Sequence, residues 1–179
     1  MKGIIFTEFL ELVEDKFGLD LLEEVLEMSD DEGIYTSVGS YDHKDLVKLI
    51  INLSKKTDID AASLQRVFGQ SVFKNLLDSL PDKASLTHSN TTFQFIQHVE
   101  RYIHVEVKKL YPDAEPPQFT FLTTEEAQLV FDYKSARCMS HVCLGLIEGC
   151  ADYHNESIAI EMIPQNEDQS VVRFNLRVE

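Results

Sequence analysis

Two groups of residues in this chain have the types and spacing to do chemistry. The first centres on His104, in the run YIHVEVKKLYPDAEPP at 102–117. Periodicity puts Phe93, Ile96, Val99, Ile103, Val107 and Leu110 on one helical stripe. His104 then falls about 80–90° from the centre of that stripe, at its edge. Two readings are open. One is a helix-edge histidine with a hydrogen-bonded ring nitrogen. The other is a neutral imidazole bound to iron in an apolar wall. His98 repeats the local text, because HVE occurs at 98–100 and again at 104–106. Six residues apart, the two imidazoles point to different sides of a helix and do not chelate one ion as an i, i+4 pair does. A metal at His104 therefore takes one ligand from this helix, which suits a metal already held by a macrocycle.

The second group is YKSAR, Tyr133 to Arg137. On an extended segment Tyr133, Ser135 and Arg137 face one way. A phenol, a hydroxyl and a guanidinium together donate strongly and suit a carboxylate pair or a phosphate. A strand-end arginine in a surface ion pair is the plainer alternative. No HExxH, GxSxG, phosphate-binding loop or dinucleotide fingerprint is present. The acids at 23–32 read as a solvated face and loop, and Asp58 and Asp60 as helix-capping residues. Cys143 and Cys150 lie seven apart on one helix face and read as buried thiols, as zinc would need further Cys or His nearby.

The elements that must position these groups follow from periodicity. Ile5, Phe9, Val13 and Phe17 recur every four residues before Gly18, an amphipathic helix with its stop. Asp20 and Glu23 have capping-box spacing for the next helix. Residues 29–40 read as a loop, Leu46–Leu53 and Leu64–Val72 as helical, Pro81–Asn90 as a loop, and Thr91–Leu110 as one long helix. Beyond the prolines the period becomes two. Phe119 and Phe121, then Leu129 to Tyr133, Ile158 to Met162, and Val172 to Val178 read as half-buried antiparallel strands. A helix, CMSHVCLGLIEGCADYH, separates the second from the third. The fold class expected is α+β, helices first and then a four-stranded antiparallel sheet with packed helices, in one domain over 1–179. A helical part spans about 1–62, and the His104 helix, sheet and remaining helices about 63–179.

Composition narrows the function. A net charge of −15 over 179 residues opposes binding to nucleic acid or to an anionic membrane surface. Three cysteines, none in a CxxC pair, read as reduced thiols in the cytoplasm. The N-terminal apolar residues are broken by Glu8, Glu11, Glu14 and Asp15, so they make no signal peptide, and no run is long enough to span a bilayer.

Taken together, MKGIIF at the start, HVEVKKLYP, YKSAR and LGLIEG resemble the haem nitric oxide/oxygen-binding family, H-NOX, over essentially the whole chain. The resemblance implies a helical N-terminal part and a sheet-based C-terminal part with haem b between them, bound without covalent attachment. By it His104 is the axial ligand of the haem iron. Tyr133, Ser135 and Arg137 hold the propionates, Pro117 presses on the porphyrin, and Ile5 packs near the ring. Members that hold oxygen stably place a tyrosine over the iron. The matching distal-pocket positions here are Phe9, Val72 and Val142, none a donor, which implies a nitric oxide receptor that does not hold oxygen. A one-residue shift would bring His141 or Ser140 into that pocket instead. No zinc is expected, since no cysteine follows Cys150. The implied action is that of a stand-alone cytoplasmic sensor, not an enzyme. Nitric oxide weakens or breaks the iron–His104 bond, with Gly69, Gly145 and Gly149 as candidate hinges. The implied partner is a sensor histidine kinase or a cyclic-di-GMP synthase or phosphodiesterase. The rivals are an acidic interaction module without cofactor, a haem sensor of another gas, and a peroxidase-like haem enzyme, whose distal acid–base pair is missing apart from His141.

Overall fold

The computed structural model describes residues 1–80 and 89–179. The expected loop at Pro81–Asn90 falls outside the described residues except for its last two. In chain order the described elements are α1 (Gly3–Phe17), α2 (Leu19–Ser29), α3 (His43–Thr57), α4 (Ala61–Asp78), α5 (Thr92–His98), a π turn (Val99–Ile103) and α6 (His104–Leu110). These are followed by β1 (Gln118–Thr124), β2 (Gln128–Lys134), α7 (Ser140–His154), β3 (Ile158–Pro164) and β4 (Val171–Val178). The α+β class read from the sequence is the class observed.

Local chemistry sets the helix ends. Gly18, at φ 87°, closes α1 and opens α2. Because α2 starts at Leu19, Asp20 is already inside its first turn. The expected Asp20–Glu23 capping box is therefore absent, and Asp20 serves the helix dipole instead. Asp60 caps α4 as expected, accepting the Ser63 N–H at 2.9 Å. Asp58 does not cap a helix start; it ends α3 in the left-handed conformation. Along α1 the buried face is Phe6, Phe9 and Val13, while Ile5 is half-buried and Phe17 is 37% exposed.

The expected helix over 91–110 is present but not uniform. At its middle the His104 N–H donates to the Val99 carbonyl, five residues back rather than four. The π turn takes in one residue more than an α turn, so positions beyond it are out of phase with an α-helical projection by about 100°. Phe93 and Ile96, before the turn, are buried, whereas Leu110, beyond it, is 57% exposed. The expected stripe therefore stops at the π turn.

The sheet order is β1-β2-β4-β3, antiparallel throughout. Leu122 is a bulge in β1, left out between the Phe121–Phe131 and Thr123–Val130 pairs. One sheet face buries Leu129, Phe131, Tyr133, Val172, Phe174 and Leu176 against Ile147 and Cys143 of α7. A second core joins α1 to α4 through Phe6, Phe9, Val13, Leu46, Leu49, Ile50, Leu53 and Phe68, and takes in Met139 from beyond β2.

The two halves meet where α4 crosses α7. Gly69 lies against the Val142 carbonyl, Gly145 against the Arg66 carbonyl, and Gly149 against Phe73 and Gln70. These three glycines let two backbones approach without a Cβ between them, so they are packing positions rather than loose hinges. Arg66 and Glu148 close the crossing with a forked ion pair, Nε to Oε2 at 2.8 Å, and Gln70 donates to Asp152 at 2.8 Å. A methyl at Gly145 overlaps backbone that has no free side chain to move. Gly145→Ala is expected to lose roughly 1–3 kcal/mol in urea unfolding, despite the better helix propensity of alanine. A change within about 0.5 kcal/mol would contradict this account of the crossing.

Candidate haem-binding cavity

A cavity of about 300 Å³ lies between the two cores. The elements that wall it explain its chemistry. α4, α5, the π turn and α7 contribute Phe68, Phe73, Phe95, Ile96, Val99, Leu146 and Ile147. From α1 comes Ile5, from just before β1 Pro117, from β1 Phe119, from β2 Tyr133, from the β2–α7 connection Ser135, Arg137 and Met139, and from α7 Val142. The sequence-derived groups, some thirty residues apart in the chain, thus reach one cavity.

His104 lines this cavity with its side chain 16% exposed. Its Nδ1 lies 2.8 Å from Oε2 of Glu100. A carboxylate only accepts, so the ring proton sits on Nδ1 and the lone pair on Nε2. Nε2 has no protein partner among the described residues. The ring of Phe119 meets the imidazole edge-on, with centroids 5.3 Å apart. Burial lowers the His104 pKa, opposed by the Glu100 carboxylate, and the ring is held neutral. Sequence reasoning offered Glu100 no role. Its signal was the i, i+4 spacing to His104, which was legible but unremarked.

At the other polar position, Tyr133 and Ser135 are buried on the inward side of the chain as it leaves β2. Burial pushes the Tyr133 phenol well above its usual pKa, and Arg137 and Ser135 lie beside it. The Ser135 hydroxyl accepts the Arg137 backbone N–H at 3.2 Å, which shapes the turn. Among the described residues no carboxylate is within ion-pair reach of the Arg137 guanidinium. Desolvation lowers its pKa, offset by the Tyr133 phenol and by Glu115 from farther off. Among the described residues, the surface-ion-pair alternative for Arg137 is not found. A half-buried guanidinium of this kind, in a chain of net charge −15, suits an anionic ligand.

The remaining described lining side chains are hydrocarbon, aromatic or thioether, apart from the buried thiols of Cys143 and Cys150. Burial pushes both thiols up to about 12, so neither is a ready metal ligand. Val142 lines the cavity, but Phe9 and Val72 do not. Both are buried in the N-terminal core, where Phe9 packs edge-on to Phe68, with centroids 5.4 Å apart. Phe9 thus stands behind the wall that Phe68 presents. His141 and Ser140 are not among the lining residues either, since α7 turns Val142, Cys143, Leu146 and Ile147 toward the cavity.

The donor set fits an iron macrocycle carrying carboxylates. Apolar walls suit the ring, one imidazole offers a lone pair, and a phenol, a hydroxyl and a guanidinium gather at one place. The residues that fit are His104 for the iron and Tyr133, Ser135 and Arg137 for the carboxylates.

Comparison with known proteins gives the family of the fold. The family described as Haem-NO-binding matches residues 2–162. Among solved structures, the Fe(II) unliganded H-NOX protein from K. algicida is 38% identical, with a TM-score of 0.93 over 100% of this chain and 97% of that one. A mutant of that K. algicida protein is 39% identical over the same shares of the two chains, also with a TM-score of 0.93. The H-NOX from Shewanella woodyi, in the Fe(II)CO state with IWP-051 bound, is 38% identical with a TM-score of 0.81, over 99% of this chain and 94% of that one. Among the described residues no helix is long and apolar enough to cross a membrane. The chain belongs to the Haem-NO-binding (H-NOX) family, haem-based gas-sensor domains that are not enzymes.

Proposed function

We propose that this domain senses nitric oxide at haem b ligated by His104, does not hold oxygen, and signals to a separate protein. The observation that carries the reading is the character of the cavity wall. Apart from His104, the Tyr133–Ser135–Arg137 group and two buried thiols, its described side chains offer no hydrogen-bond donor. Stable oxygen binding at ferrous haem asks for such a donor, because the bound gas carries partial negative charge; nitric oxide does not. The absence of a CxxCH motif supports a haem held without covalent attachment.

Haem, held by His104, Tyr133, Ser135 and Arg137, would supply a ferrous iron for nitric oxide to bind, and that binding would weaken or release the bond to His104. The chain's own residues then convert that local event into a change of shape. His104 begins α6, so release of its ring frees the helix from the cavity wall. The π turn is the least regular part of that helix and is where it would give. Ile5 and Pro117 line the same cavity from α1 and from the entry to β1, so both follow the helix. Lys2 sits 3.7 Å over the ring of Tyr111, just beyond α6, and links that end to the N-terminal part at about 1–62. The altered surface regulates a sensor histidine kinase or a cyclic-di-GMP synthase or phosphodiesterase.

Two results are expected. Arg137→Leu removes a charge-assisted contact to a propionate and should weaken haem retention roughly 10- to 100-fold, read by haem transfer to a scavenging apoprotein. Unchanged retention would remove Arg137 from the site. The absorption spectrum of reduced wild-type protein should become that of five-coordinate iron with nitric oxide and stay unchanged in air, whereas Val142→Tyr should gain a stable oxygen spectrum. A nitric oxide spectrum that keeps His104 bound, or stable oxygen binding by the wild type, would overturn the proposal.

A further inference from the structure

Glu100 lies in the π turn, four residues before His104, and its Oε2 is 2.8 Å from the imidazole Nδ1. Among the described residues His104 is its one hydrogen-bonding partner. That choice of partner is informative. Arg101 is adjacent in sequence, yet Glu100 does not pair with it. In the same helix Glu106 behaves ordinarily, taking the Lys109 ammonium at 2.7 Å. The Glu100 side chain is 26% exposed and that of His104 16%, so water screens the contact poorly. Phe119 packs against the imidazole as well, and the ring is held by Glu100 and Phe119 together.

We propose that Glu100 is the positioning residue that sets the strength of the iron–His104 bond, and through it how readily nitric oxide releases His104. This rests on the gas-sensing reading above and adds the residue that sets its threshold. A carboxylate that accepts the Nδ1 proton draws it partly off the ring and makes Nε2 a stronger donor to a metal. It also fixes which ring nitrogen is free and where it points. A neutral acceptor in the same place keeps the orientation but lends less electron density. An alanine keeps neither.

The test is the iron–histidine stretching band of the ferrous haem-loaded protein by resonance Raman, in wild type, Glu100→Gln, Glu100→Ala and the control Glu106→Gln. The band is expected to fall in frequency from wild type to Gln to Ala and to stay in place in the control. His104 release after mixing with nitric oxide should be about 10- to 100-fold faster in Glu100→Ala. A purely structural role would not produce that ordered shift. Glutamine is isosteric with glutamate at this partly exposed position, so Glu100→Gln decides the matter even if the alanine variant folds poorly. A band unmoved in Glu100→Gln, with thermal unfolding unchanged, overturns the role of Glu100 and leaves His104 as the ligand. A wild-type protein with no band that His104→Ala abolishes overturns the gas-sensing reading and the role of Glu100 with it.

Discussion

The chemistry of this cavity depends on which ring nitrogen of His104 carries the proton, and Glu100 decides it. With Nδ1 committed to the carboxylate, Nε2 is the lone pair left for a metal. Every other element of the site is arranged around that fact. Apolar side chains surround the ring and favour the neutral imidazole. Phe119 closes on it edge-on. The remaining strong donors are gathered at Tyr133, Ser135 and Arg137, a set suited to carboxylates.

The fold divides into a stiff side and a yielding side. The α4–α7 crossing is stiff, because three glycines bring its backbones together and a forked Arg66–Glu148 pair closes it. The His104 helix is the yielding side, because it carries a π turn and because α6 has no residue in the buried core. On the proposed function, the change that follows at His104 passes through α6 and Lys2–Tyr111 rather than through α7.

The candidate site residues stand out in the sequence because their types are unusual in context. A histidine beside an apolar stripe and YxSxR in an acidic chain stand out, and the period change after the prolines located the sheet. What was not legible depends on departures from regular geometry. An α-helical projection left His104 at a stripe's edge, because nothing in VERYI announces a π turn. The stripe drawn through Leu110 fails for the same reason. Phe9 drops out of the cavity wall because Phe68 packs against it, and Val72 is buried in the N-terminal core; packing depth is a matter that spacing does not encode. The glycines of α4 and α7 looked like hinges by type and serve as contacts by position. Asp20 missed its capping role because Gly18 ends one helix and starts the next, leaving no residue between them.

The central claim is that one imidazole, offered through Nε2, supplies the bond between this protein and iron. Replacement of His104 by glycine, with free imidazole then added to the haem-loaded protein, tests it most directly. The account predicts that the ferrous spectrum of His104→Gly differs from wild type and that imidazole in solution restores it. A ferrous spectrum that His104→Gly leaves unchanged would contradict the account.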